Sequence, residues 1–166
     1  MVLTLRQTLR KLEEASYSDR IKLVELEISK LPDLSFLSHV TSLNLSDNAF
    51  LFVPSQLAIL KKLEYLNLSN NSIAEFSSDI ISNLKSLKAL LISGNRIVQL
   101  DNHSLPESLV ELNLCNNRLV DFQEALALTS LRRLDVSNNQ IRALPVYVTN
   151  MINLQELNLV CVCNLC

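Results

Sequence analysis

Residue types that phosphate chemistry requires are scarce in this 166-residue sequence, which has one Gly, four Pro and no Trp. Loops that cradle phosphates need several backbone positions without a Cβ, so a single Gly excludes a GxGxxG or Walker-type loop. The 15 basic and 17 acidic residues leave a net charge of −2, so no overall basic field would recruit nucleic acid. No apolar run reaches the ~18–20 residues of a transmembrane helix, and the first residues lack the apolar stretch of a signal peptide. The composition therefore predicts a soluble globular protein.

Leucine and asparagine are abundant instead, at 36 and 17 positions, and they recur at a regular interval. Six segments have the form L-x-x-L-x-L-x-x-N-x-L, with Val in the first position of one segment and only a partial match in the last. Their starting points are separated by 23, 24, 22, 22 and 23 residues. One such segment is weak support for any fold, but a series at near-constant spacing indicates a repeat architecture. The segments begin at Val40, Leu63, Leu87, Leu109, Leu131 and Leu154.

This pattern resembles the leucine-rich repeat, and the resemblance covers residues 40–159. It implies an α/β solenoid, a right-handed superhelix with parallel β-strands on its concave face and short helical, 3₁₀ and irregular segments on its convex face. The centre of each segment also alternates apolar and polar residues, as a half-buried strand does. One coil of chain cannot bury its leucines alone, so we expect the core to form between neighbouring coils.

An asparagine follows the predicted strand in five of the six segments. The resemblance places its side-chain amide inside the turn, where it bonds backbone groups of the turn and of the adjacent coil. Such bonds would satisfy backbone groups that are otherwise buried without a partner. We therefore expect a structural ladder of side-chain amides along the solenoid, formed by Asn48, Asn71, Asn95, Asn117 and Asn139.

The repeat pattern also suggests a division of the chain. Residues 1–22 are predicted to form an N-terminal capping helix and the segment that leads from it, and residues 23–166 to form the repeat domain. Within the repeat domain we expect a degenerate, shortened first coil over residues 23–39 and regular repeats over residues 40–159. A short cysteine-containing tail over residues 160–166 would follow.

The region before Val40 follows the repeat pattern poorly. Residues Leu23–Ile28 alternate apolar and polar side chains, which predicts the strand of the first coil there. Ahead of them, Leu5, Leu9 and Leu12 recur at helical spacing. A solenoid needs a cover with one polar face over its terminal coil, so a capping helix is favoured over a helix that docks on a membrane or a partner.

Short helical turns are expected on the convex side of the coils. Pro54 and Pro145 should each precede such a turn, because the fixed φ of proline suits the first position of a helix. Ser77–Asp79 should begin another, since serine and aspartate cap helix N-termini. The segment that contains Pro106 is expected to be irregular, because the 22-residue units leave less room for a helix.

Three of the four cysteines lie in the last six residues, as Cys161, Cys163 and Cys166. This spacing could hold zinc, but a structural zinc site usually has four ligands and no fourth Cys or His lies nearby in sequence. The tail is also similar to the start of the cysteine-rich flank of secreted leucine-rich repeat proteins, and its last four residues loosely fit a prenylation box. We predict no metal site, and both a natural C-terminus and a truncation stay open.

No catalytic set is indicated. The two histidines, His39 and His103, fall on different coils, and the carboxylates show no pair placed for acid–base work. Cys115 replaces the serine of its repeat and is expected to be a small, partly buried filler. We therefore predict that the chain is not an enzyme and holds no cofactor.

The predicted binding surface is the concave face, formed by strand side chains that point away from the leucine core. Its apolar and aromatic side chains lie among charges of both signs, which suits a protein epitope better than nucleic acid. The expected function is a non-catalytic protein-protein interaction module, a cytoplasmic adaptor or regulatory subunit. The alternative is a truncated secreted or receptor-type recognition domain. The expected partner is another protein, whose identity the sequence does not indicate, with no nucleic acid or membrane bound and the chain a monomer. The predicted binding residues are Tyr65, Leu91 and Arg133, surrounded by Lys88, Glu111, Arg132 and Asp135.

Overall fold

The computed structural model describes residues 5–76, 78–101 and 105–160, and within them seven short strands form one parallel sheet. The strands follow one another in chain order, and each pairs only with its sequence neighbours. This order is the one expected when the chain makes one coil per repeat and never crosses back. It confirms the predicted α/β solenoid. The strands are β1 (Arg20–Lys22), β2 (Ser42–Asn44), β3 (Tyr65–Asn67), β4 (Ala89–Leu91), β5 (Glu111–Asn113), β6 (Arg133–Asp135) and β7 (Glu156–Asn158).

The central residue of each strand is a core position. It is fully buried in β1 to β6, between two neighbours that are exposed or half-buried. Burying one such side chain stabilises the fold by ~1.5–3 kcal/mol. The exception is Leu157 of β7, which is 37% exposed, because no further described coil packs against it. The buried central residues are Ile21, Leu43, Leu66, Leu90, Leu112 and Leu134.

The helix α1 (Leu5–Glu14) precedes the sheet. Leu12, which is 1% exposed, packs among the core residues Ile21 and Leu23 of the first coil. On the outer face of the helix, Arg10 pairs with Glu14 in solvent at 3.0 Å. The helix therefore covers the first coil with one apolar face and leaves a polar face outside, which is what a terminal coil requires.

The strand of the first coil does not lie where the sequence predicts it. It is formed by Arg20–Lys22 and not by Leu23–Ile28, because Ile21 pairs with Leu43 and so takes the place of a core leucine. The predicted segment cannot form a strand, since Glu25 and Glu27 both have a left-handed backbone, with φ of 57° and 54°. The sheet thus begins inside the residues assigned to the cap. The first coil is not shortened, because it has the 22-residue period of the later ones.

Short helical segments form the return path of several coils, as predicted. A 3₁₀ turn over Ser55–Ile59 directly follows Pro54, and another over Val148–Asn150 follows Pro145. A second α-helix, α2 (Ser78–Ile81), lies where the serine and aspartate cap was predicted. Pro106 lies in non-helical turns. Further 3₁₀ turns span Ser35–Leu37 and Gln123–Ala127.

Candidate protein-interaction face

The concave face consists of three columns of side chains that run across the coils. Two columns are the first and the last residues of each strand, which flank the buried central residue. The third, called here the strand-start column, is the residue just before each strand. Six spacings of ~4.8 Å between the seven strands make a face about 29 Å across. From β2 to β7 the strand-start column is Thr41, Glu64, Lys88, Val110, Arg132 and Gln155.

The structure distributes the predicted binding residues over four neighbouring strands. Tyr65 and Leu91 are half-buried and lie on the adjacent strands β3 and β4. Arg133 begins β6 and is paired in register with Glu111 of β5. The two apolar side chains are therefore together, whereas Arg133 lies two strand spacings beyond β4, ~10 Å away along the face.

Two ion pairs cross between coils on this face. Lys88 Nζ lies 3.1 Å from Glu64 Oε2, and both side chains are about half exposed. Arg133 donates a hydrogen bond of 2.6 Å from its guanidinium to Glu111 Oε2. That hydrogen bond, reinforced by the charge of Glu111, raises the pKa of Arg133 above its ordinary value. A partner that uses Arg133 must therefore compete with Glu111 for its guanidinium.

Asp135 has a structural role that the sequence did not indicate. Its Oδ1 accepts hydrogen bonds from the Ser137 backbone N–H at 2.9 Å and from the Ser137 hydroxyl at 2.6 Å. Its Oδ2 accepts a bond of 3.1 Å from the Asn158 side chain of the next coil. The carboxylate therefore fastens its own turn and the neighbouring coil, so substituting it would disturb more than a surface charge.

Asp135 belongs to a column of side chains that close their own turns. In each member, the side-chain oxygen accepts a hydrogen bond of 2.9–3.2 Å from the backbone N–H two residues later. Local bonds of this kind are typical of Asn and Asp. Leu91 is the exception from β2 to β7, because it has no oxygen to make the bond. The members are Asn44, Asn67, Asn113, Asp135 and Asn158.

The ladder asparagines lie behind the face, where each coil turns inward. The Asn95 side chain donates to Ile92 O and Ser93 O of its own coil and to Leu68 O of the preceding one, at 3.0–3.1 Å. Its oxygen accepts a 2.9 Å bond from the Ile73 backbone N–H. The other four make the same set of bonds between coils. They are Asn48, Asn71, Asn117 and Asn139.

Another regular feature lies one residue before the ladder. Every coil from the first to the sixth has a left-handed residue there, with φ between 52° and 64°. The single glycine, Gly94, occupies this position in the β4 coil, and the Asn70 side chain lies against the space that a Cβ would fill. The repeat pattern alone did not reveal this stripe, although Asn and Asp are residues that tolerate the conformation. Its members are Glu25, Asp47, Asn70, Gly94, Asn116 and Asn138.

Replacing Gly94 by Ala should lower the free energy of unfolding by about 1–2 kcal/mol, because Ala is strained in a left-handed backbone. Gly94→Asn is the matched control, since it adds the same Cβ but Asn already occupies this position in three coils. Thermal melts should therefore rank the parent first, the Asn variant second and the Ala variant last. An Ala variant that melts with the parent would contradict this account of the stripe.

The residues considered for metal binding or catalysis are not brought together. His39 is exposed, and His103, Cys161, Cys163 and Cys166 lie outside the described residues. Burial raises the pKa of the Cys115 thiol, and the nearby charge of Asp135 raises it further, so the thiol is poorly suited to act as a nucleophile. Among residues 5–76, 78–101 and 105–160, no group of three metal-ligating side chains is found. None of the described helices is long and apolar enough to cross a membrane.

The repeats match two family models. A leucine-rich repeat model matches residues 38–97, and a model of two leucine-rich repeat copies matches residues 107–149. Together the matches span more than half of the chain. The chain belongs to the leucine-rich repeat family. This confirms the family that the sequence pattern indicated.

Several leucine-rich repeat regions of larger proteins are similar to this chain. Adenylate cyclase of Schizosaccharomyces pombe is 38% identical over 62% of this chain and 7% of its own length. Leucine-rich repeats and immunoglobulin-like domains protein 1 of Homo sapiens is 34% identical over 81% of this chain and 13% of its own length. This leucine-rich repeat chain thus spans only a small part of such relatives.

Solved structures support the same assignment. The TLR13–ssRNA13 complex superposes with a TM-score of 0.77 at 31% identity, over 85% of this chain and 21% of that chain. An internalin of Listeria monocytogenes superposes with a TM-score of 0.66 at 29% identity, over 79% of this chain and 38% of that chain. Leucine-rich repeats of this family are generally recognition modules and not catalytic domains, and both receptor-type and intracellular proteins contain them.

Proposed function

We propose that this chain is a non-catalytic protein-protein interaction module, a cytoplasmic adaptor or regulatory subunit that binds a protein partner on its concave face. The observation that carries the proposal is the position of Leu91. Its column otherwise consists of side chains that close their own turns, whereas Leu91 gives up that bond and places an apolar side chain on the face. A binding role explains this departure better than a folding role does.

The neighbours of Leu91 support the same proposal. Tyr65 begins the adjacent strand, so an aromatic and an aliphatic side chain form a small apolar centre on the face. The ion pairs of Glu64 with Lys88 and of Glu111 with Arg133 lie on either side of this centre. An apolar centre within a polar surround is the usual anatomy of a protein interface, and aromatic residues concentrate its binding energy.

A second candidate is a receptor-type recognition domain that forms part of a longer chain. The similarity to an immunoglobulin-like domain protein of Homo sapiens favours it, as does the small share of each relative that this chain spans. The two candidates use the same concave face. They differ in where the protein is located, so the location of the full-length gene product in its own cells discriminates between them.

Affinity capture from the native organism tests the proposal. The baits are the parent chain, a concave variant with Tyr65, Leu91 and Arg133 all changed to Ala, and a control variant with Val98, Val120 and Arg118 changed to Ala. The control removes two exposed valines and one arginine outside the concave face. We expect a protein that the parent and the control capture and the concave variant does not. Equal capture by all three baits would contradict the proposal.

A further inference from the structure

An open cavity of about 560 Å³ lies at the strand-start edge of the concave face, called here the basic cleft. Three cationic side chains line it, those of Lys85, Lys88 and Arg132, against one carboxylate, that of Glu64. The cleft therefore has an excess of two positive charges, although the whole chain has a net charge of −2. The acidic residue Glu107, on the next coil after Lys85, does not line the cleft.

The floor of the cleft lies between two of these cations. Lys88, Val110 and Arg132 are consecutive members of the strand-start column, joined by backbone hydrogen bonds of 2.8 Å from each coil to the one before. Two strand spacings therefore separate Lys88 from Arg132, ~9.6 Å between their backbones. The Val110 side chain between them is short, half-buried and apolar. A side chain inserted above Val110 would have a cation on each side.

The charges in the cleft are unevenly satisfied. Lys88 is paired with Glu64 on the side away from Val110. Within the part of the chain that the structure describes, Arg132 and Lys85 form no ion pair. The adjacent Arg133 differs, because Glu111 already holds its guanidinium. Arg132 is therefore the arginine of the concave face whose charge is available to a ligand.

We propose that the basic cleft receives a carboxylate side chain from an acidic segment of the protein partner. This inference rests on the proposed function and adds the chemistry of the partner. The carboxylate would lie between Arg132 and Lys85, and the methylene groups of a glutamate would pack on Val110. The exposed hydroxyl of Ser130 lines the same cleft and can donate a hydrogen bond, whereas that of Ser108 is committed to Leu87 O at 2.8 Å.

A peptide titration followed by NMR tests this proposal on the full chain. The probe is a short peptide of alternating Glu and Gly, and the matched probe carries Gln in place of each Glu. We expect the Glu peptide to shift the backbone amide signals of residues 85–88, 108–110 and 130–132, and to bind several-fold more weakly when salt is raised from 50 to 300 mM. The Gln peptide should cause no saturable shifts. Equal binding of both peptides would overturn the proposal.

Paired variants locate the binding. Lys85→Ala combined with Arg132→Ala should weaken binding of the Glu peptide at least fivefold. The control combines Arg20→Ala with Lys22→Ala, which removes two exposed cations of β1 on the same face, and should change affinity less than twofold. Equal losses in both double variants would show general charge attraction and overturn the assignment to the cleft.

The same variants separate this inference from the proposed function. With the captured partner, a loss of binding in the Tyr65, Leu91 and Arg133 variant but not in the Lys85 and Arg132 variant would remove the acidic-segment inference and leave the concave face as the binding site. A loss in both would support both proposals. Unchanged binding in both would overturn both.

Discussion

Replacing Asn117 by Ala should lower the free energy of unfolding by about 1–3 kcal/mol, since it leaves buried backbone groups without partners. The Asn117 amide donates to Ile92 O and Leu114 O at 3.0 Å, and its oxygen accepts a 3.0 Å bond from the Ile97 N–H. The side chain is only 8% exposed, so water cannot replace these bonds in the folded state. Asn95→Ala should have an effect of the same size, because Asn95 is equally buried and makes equivalent bonds.

Denaturant unfolding of both variants measures this effect. Asn150→Ala is the matched control, because Asn150 is exposed at the end of a 3₁₀ turn, and we expect it to stay within about 0.5 kcal/mol of the parent. Asn139→Ala should cost less than Asn95→Ala, since Asn139 is only half-buried and lies next to the exposed terminal coil. Unfolding curves for Asn95→Ala and Asn117→Ala that match the control would refute the ladder.

The regular coils were predictable because one period determines many positions at once. A spacing of 22–24 residues places every leucine of β2 to β6 in the core and every ladder asparagine behind its strand. The period outweighs any single residue, so the alternation of Leu66 and its neighbours needs no other support. Even the short convex turns after Pro54 and Pro145 follow from it, since each coil must return to the start of the next strand.

The first coil was misplaced because it lacks the asparagine that marks the register. Leu26 occupies the ladder position there, and the alternating segment after Lys22 imitates a strand. Counting 22 residues back from Leu43 would have found Ile21 and the correct strand. This error also hid Arg20 and Lys22, which lie on the concave face beside Ser42 and Asn44.

The finer features of the face depend on side-chain geometry that no repeat pattern specifies. The pairing of Glu111 with Arg133, and the absence of such a pair for Arg132, is set by which side chains meet across neighbouring coils. The same holds for Asp135, which looks like a surface charge in the sequence but bonds Ser137 and Asn158 in the structure.

Changing Tyr65, Leu91 and Arg133 together to Ala should weaken binding of the captured partner at least tenfold. Tyr65 is the expected anchor, since an aromatic side chain at the centre of an interface commonly contributes ~2 kcal/mol or more. Leu91 extends the apolar contact on the neighbouring strand. Arg133 should contribute least, because its removal frees Glu111 and because a partner must displace that carboxylate first.

The affinity of this triple variant for the captured partner, measured by isothermal titration calorimetry, tests the proposed concave binding face most directly. The variant must first melt within a few degrees of the parent, which we expect because none of the three residues is part of the core. The Val98, Val120 and Arg118 control should bind like the parent. An affinity at least tenfold weaker for the concave variant alone is the result that we predict. An unchanged affinity in a folded variant would show that the partner binds elsewhere and would contradict the proposal.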